Sequence, residues 1–126
     1  MDLLNFTEDA GMFTDVRAWI DDGDVCALTL HFENNRQLLI FVENDLDELV
    51  ISTSNLLNHK CTQPLTALQH VYGYFLTRTW LMHNHKGYQD ALQLEFNHPD
   101  NPQTHFVQIY VQASSLILFR LQQIDV

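Results

Sequence analysis

The sequence predicts an α+β fold: a mostly antiparallel, strongly twisted sheet of about eight strands in two meanders, open or half-closed into a barrel, with one short helix between them. Three observations predict it. Runs such as Cys26–Phe32 and Tyr88–Phe96 alternate apolar and polar side chains, the period of a strand with one wet face. Turn-forming clusters separate these runs, among them Asp21-Asp22-Gly23-Asp24, Glu33-Asn34-Asn35-Arg36 and His83-Asn84-His85-Lys86-Gly87. Between residues 54 and 73 the alternation stops, and a proline opens a segment with helical spacing.

Taken in order, Leu3, Leu4, Phe6, Met12 and Phe13 fit either a helical turn or an arm packed on the sheet, with Gly11 separating them from the first strand. Val16, Ala18 and Ile20 then alternate with Arg17 and Trp19. The Asp-Gly step at 22–23 suits a primed hairpin turn, because both residues tolerate positive φ. The second strand sets Cys26, Leu28, Leu30 and Phe32 against Ala27, Thr29 and His31. Leu38 to Val42 is apolar on both faces and reads as an interior strand. Glu43-Asn44-Asp45-Leu46-Asp47 turns the chain again, and Glu48 to Thr53 is the fourth strand.

Ser54 to Lys60 reads as a loop with Leu56 and Leu57 tucked beneath it. Pro64 to Tyr72 reads as a helix, with Pro64 in its first turn, Leu65, Leu68, Val71 and Tyr72 on one face, and Gly73 stopping it. Tyr74 to Met82 is again apolar on both faces and reads as a central strand, paired through the 83–87 turn with Tyr88 to Phe96. Asn97-His98-Pro99-Asp100-Asn101-Pro102 reads as a loop, followed by strands at His105–Val111 and Ser115–Leu121. No repeat or linker divides the chain, so residues 1–126 are expected to form a single domain.

In the central hairpin, Trp80, Asn84, Gly87, Tyr88 and Asp90 spell W-x-x-x-N-x-x-G-Y-x-D. This pattern resembles one in a family of small bacterial domains of unknown function. The resemblance implies a cytoplasmic bacterial domain of about this length and brings no activity with it. Physics supplies the roles: Trp80 as core, Asn84 and Gly87 as turn, Tyr88 as a ring over the turn, and Asp90 as a partner for Lys86 or loop N–H groups.

Charge separates the chain into two parts. Of the sixteen acids, twelve lie in residues 1–48 against only Arg17 and Arg36, whereas the remaining four are matched by four bases. The whole net charge of −10 therefore belongs to the first part. Such a field repels nucleic acid and anionic membrane and attracts a basic protein. The N-terminus has neither a basic region nor a long apolar run, so a cytoplasmic location without a membrane span is expected. Cys26 and Cys61 are too few for a disulfide framework and are expected as free thiols.

No catalytic signature appears. Four glycines give no phosphate loop and no nucleophile elbow, and Arg78 with Glu95 reads as a cross-strand ion pair. Asp45-x-Asp47-Glu48 lacks the order of a calcium loop. His83, His85 and Asp90 are three conceivable metal ligands without a closed set, so no metal and no cofactor is expected.

Two functions fit these features. The first is a non-enzymatic acidic protein that neutralises a basic partner, in the manner of a bacterial immunity protein or an antitoxin against a nuclease toxin. Its contact residues are Asp21, Asp22 and Asp24 in one turn and Glu43, Asp45, Asp47 and Glu48 in another. The second is a small-ligand or metal-binding domain that uses Asn84, His85, Tyr88 and Asp90 of the hairpin loop.

Overall fold

In the computed structural model, described over residues 3–43 and 47–121, the strands form two antiparallel sheets rather than one. A helix, α1 (Leu3–Asp9), leads into β1 (Phe13–Asp21), β2 (Asp24–Phe32), β3 (Gln37–Glu43) and β4 (Glu48–Ser52), and a two-residue strand, β5 (Gln63–Pro64), completes this half. The second half holds β6 (Phe75–His83), β7 (Gln89–His98), β8 (Asn101–Gln112) and β9 (Ser115–Leu121). The sheet orders are β4-β3-β2-β1-β5 and β6-β7-β8-β9.

The expected α+β fold with a single, half-closed sheet is therefore corrected to a mostly β architecture of two sheets, of five and four strands, with no closed barrel. The two meanders stand where the alternation places them. Each pairs its strands within its own sheet, however, and the segment from 53 to 74 carries the chain from one sheet to the other. What joins the halves is apolar burial. One cluster takes Val16, Leu28, Leu30, Leu38 and Ile40 from the first sheet and Leu92, Leu94, Phe96, Val107 and Ile109 from the second. Phe13 sits at its centre, with ring centroids 5.5 Å from Phe32, 5.2 Å from Tyr72 and 5.4 Å from Phe96. Such aromatic contacts add to the area buried. The sheets also touch at their margins, where Phe13 N–H donates to the Tyr74 carbonyl and Gly73 N–H donates to the Phe13 carbonyl.

Three local expectations change with the two-sheet arrangement. The helix read over 64–72 is a 3-10 helix at Thr66–Val71, because Pro64 is taken into β5 opposite Arg17. Leu68 and Val71 are its buried anchors. The regular α-helix is at the N-terminus, the first of the two readings open there, and Phe6 buries against Phe32 with 5.3 Å between ring centroids. The loop read over 97–102 shrinks to Pro99 and Asp100, since His98 pairs with Asn101. Pro102 is tolerated in β8 because the pairing of β8 with β9 begins only at Phe106, so no ladder donor is missing there.

Most consequential is β6, read as central and found at an edge. An apolar outer face looks the same in sequence whether another layer covers it or not.

The loop from 53 to 62 folds over the outer face of the first sheet. Cys61 is buried with Ala27 and Leu39, and Trp19, Phe41 and Leu57 pack around them. Asn58 ties the loop down by donating to Gln37 Oε1 at 2.8 Å and accepting from the Thr29 hydroxyl at 3.3 Å. Leu57 is tucked as expected, whereas Leu56 remains 66% exposed.

Candidate functional site

An antiparallel meander sends alternate turns to the same end of its sheet. The β1–β2 and β3–β4 turns, which carry the acidic clusters, are therefore on one side, about two strand spacings or roughly 10 Å apart. The first is a two-residue hairpin. Asp21 and Asp24 are cross-strand partners, and Asp22 and Gly23 hold φ of 52° and 82°, the primed geometry that the Asp-Gly step favours. Asp21, Asp22 and Asp24 are all exposed.

At the second turn the acids divide by role. Glu43 is exposed and opposite Glu48. Glu48 turns toward the other sheet, where its Oε2 accepts from Gln89 N–H at 2.9 Å, while the Gln89 side chain donates to the Leu49 carbonyl at 2.7 Å. Asp47 Oδ1 accepts from Ser114 N–H at 2.7 Å. Asp47 and Glu48 thus bracket the two sheets together. Asp45 lies outside the described residues.

A cleft of about 300 Å3 opens beside the first acidic turn. Its walls are Trp19, Phe41 and Leu57 from the satellite cluster, Asp21, Asp22 and Asp24 from the turn, and Ala113 to Ser115 from the β8–β9 turn. The Lys60 ammonium sits 4.2 Å above the centre of the Trp19 ring, a cation–π contact on the same surface. Cys26 also lines the cleft, but burial, and then the Asp21 charge, push its thiol up from its ordinary range. The shift disfavours the thiolate, against the opposing pull of the Lys60 charge, and so disfavours a nucleophilic role.

Of the alternative site residues on the β6–β7 hairpin, Asn84 has a structural occupation. Asn84 Oδ1 accepts from Lys86 N–H at 2.9 Å and Tyr88 N–H at 3.1 Å, and Gly87 takes φ of 84°. Tyr88 is 41% exposed, and His85 is exposed. The cleft nearest this hairpin is lined by Leu3, Leu49, Leu81, His83 and Gln89 and reaches none of Asn84, His85, Tyr88 and Asp90. Among the described residues, no three of His, Cys, Asp and Glu converge in a metal-holding group.

Two features were not singled out from sequence. Trp19, Phe41 and Leu57 read there as strand and loop residues, and only the folding over of the 53–62 loop makes them cleft walls. A histidine pair is formed by His70 of the 3-10 helix and His105 of β8, with ring centroids 5.5 Å apart. His105 also meets the Tyr74 ring at 5.2 Å, and His70 Nε2 is buried without a hydrogen-bond partner. The signal for such a pair is long-range packing, which no local pattern carries.

Among the described residues, no helix is long and apolar enough to cross a membrane. No curated protein and no solved structure matches the chain. A family model does match, over residues 12–125, and its description is a family of unknown function, DUF6334. The matched span begins at the first residue before β1 and includes both acidic turns and the Trp80–Asp90 hairpin. The chain belongs to this family.

Proposed function

We propose that this family member is a non-enzymatic binding protein that takes a basic protein partner at its acidic end, as an immunity protein or antitoxin does. The observation that carries the reading is convergence: Asp21, Asp22 and Asp24 form one wall of a cleft whose other walls are Trp19, Phe41 and Leu57, with Glu43 and Asp47 on the neighbouring turn. Carboxylates supply long-range attraction and orientation for Lys and Arg side chains. Aromatic walls supply the apolar contact that gives an interface affinity beyond charge. Cys26 with its raised thiol pKa supports binding over covalent chemistry at this cleft.

A pull-down from the native host with the full chain as bait, at low and at high salt, tests the reading. One basic protein retained at low salt and released as salt rises is the expected result, with Asp21→Lys/Asp22→Lys bait failing to retain it. Retention that ignores both salt and the charge reversals would overturn the acidic end as the contact surface.

A further inference from the structure

The outer face of the second sheet is apolar where an antiparallel sheet ordinarily meets water. Its register sets three rows side by side: Met82, Ala91, Tyr110 and Ile117; Trp80, Gln93, Gln108 and Phe119; and Arg78, Glu95, Phe106 and Leu121. Trp80 is 37% and Phe119 46% exposed. The rings already contact one another, Trp80 to Phe106 at 6.2 Å and Tyr110 to Phe119 stacked at 5.2 Å with 12° between planes. We propose that this face is a homodimer interface, in which a second copy of the chain packs its own β6–β9 face against it across a two-fold axis.

Three features select a second copy as the occupant. The first is charge. Strands β6 to β9 and their turns carry three acids, Asp90, Glu95 and Asp100, against three bases, Arg78, Lys86 and Arg120, so this half is neutral although the chain as a whole is −10. Only Arg78 and Glu95 lie on the face itself, and they pair with each other at 3.8 Å. Two copies meeting here escape the repulsion that opposes every contact through the acidic half. A basic partner has nothing to gain on this side.

The second feature is polar self-complementarity. Gln93 and Gln108 are neighbours in the middle row, flanked by Trp80 and Phe119. The Gln108 amide has only the Met82 thioether at 3.8 Å, a weak acceptor, and no hydrogen bond holds the Gln93 side chain among the described residues. A primary amide both donates and accepts, so two glutamine pairs related by a two-fold satisfy each other.

The third is area. Four strands about 4.8 Å apart and three outward rows about 6.8 Å apart project on the order of 400 Å2 per copy. With side-chain relief the two copies bury roughly 1,000 Å2, the lower bound for a specific interface. An interface at this lower end of size belongs with weak, transient contacts, so association in the micromolar range is the expected result.

Sedimentation equilibrium of the full chain, from about 1 µM to about 200 µM, reads the proposal directly, because that range brackets a micromolar dimer. A concentration-dependent dimer that survives high salt is expected, since the face is mostly apolar and its two charges are of opposite sign and already paired within each copy. Phe119→Glu should weaken dimerisation at least about tenfold by setting two desolvated carboxylates against each other. Gln108→Glu, isosteric and at the surface, should do the same and keeps the test independent of any folding defect in the first variant. Monomer at every concentration overturns the proposal. So does a dimer that both variants leave unchanged, which would place the contact elsewhere, or a dimer that Asp22→Lys disrupts in their stead.

Discussion

The histidine pair between the 3-10 helix and β8 makes stability depend on pH in a direction that its surroundings dictate. Burial, then the Arg120 guanidinium, and for His70 the His105 ring as well, hold both imidazoles below their ordinary value of about 6.5. The Ala67 backbone opposes the shift at His70, and the Tyr74 ring packs on His105 without charge. Both are therefore neutral in the folded chain at a pH where the unfolded chain already binds protons. Their stabilisation is complete above about 6.5 and is lost as pH falls from there toward the lowered folded values. Denaturant titrations at about pH 8 and about pH 5.5 should show a loss of stability on acidification in the native chain and a smaller loss in His70→Leu/His105→Phe, because those side chains take up no proton. An equal loss in both proteins would mean that the pair does not set the pH dependence. Little of this was legible in sequence. His70 and His105 are thirty-five positions apart, and their contact depends on the 3-10 helix lying over the end of β8, which is a product of the two-sheet packing.

At the scale of elements, the strand positions were legible because alternation and turn chemistry are local, and the Asp22-Gly23 hairpin shows it directly. Which strand becomes an edge was not, since β6 has the same two-sided apolar pattern as the interior β3 while sitting outside β7. Likewise the acidic turns were legible as neighbours from meander topology. That Asp47 and Glu48 are engaged by Ser114 and Gln89 was not, because those partners are 67 and 41 positions away. The Asp47 contact explains a turn that its own sequence disfavours. Between the cross-strand partners Gln112 and Ser115, Ala113 and Ser114 hold φ of 51° and 65°, a left-handed geometry better served by Asn-Gly. Ala113→Asn/Ser114→Gly should raise stability by about 1 kcal/mol in thermal melts, by relieving strain at two positions. Asp47→Ala should cost about 1 kcal/mol, and less in the Asn-Gly background than in the native one, because the native turn relies on that carboxylate to hold it. Strictly additive effects would mean that the cross-sheet bond and the turn strain are unrelated.

Across the whole molecule, the two sheets divide the work: the first carries the charge and the second is neutral, with an apolar outer face. Acids kept only for solubility gain nothing from crowding, since scattered charge solubilises equally well without self-repulsion. Here Asp21 directly opposes Asp24, Asp22 lies between them, and Glu43 opposes Glu48 at the same end of the sheet. Like charges placed across strands oppose folding, so this end is held at a cost in stability. Asp21→Asn/Asp22→Asn/Asp24→Asn removes the repulsion while keeping size and hydrogen-bonding shape, and asparagine suits the left-handed φ of residue 22 at least as well as aspartate. The triple variant should melt a few degrees higher than the native chain at low salt, and the gap should close at about 1 M salt, where charges more than about 3 Å apart are screened. Its affinity for the proposed basic partner should fall at low salt, mainly through slower association. A variant that melts higher and still binds the proposed partner equally fast would leave the acidic end without a function to offset its cost. One that loses binding as it gains stability would show that the repulsion is retained for recognition.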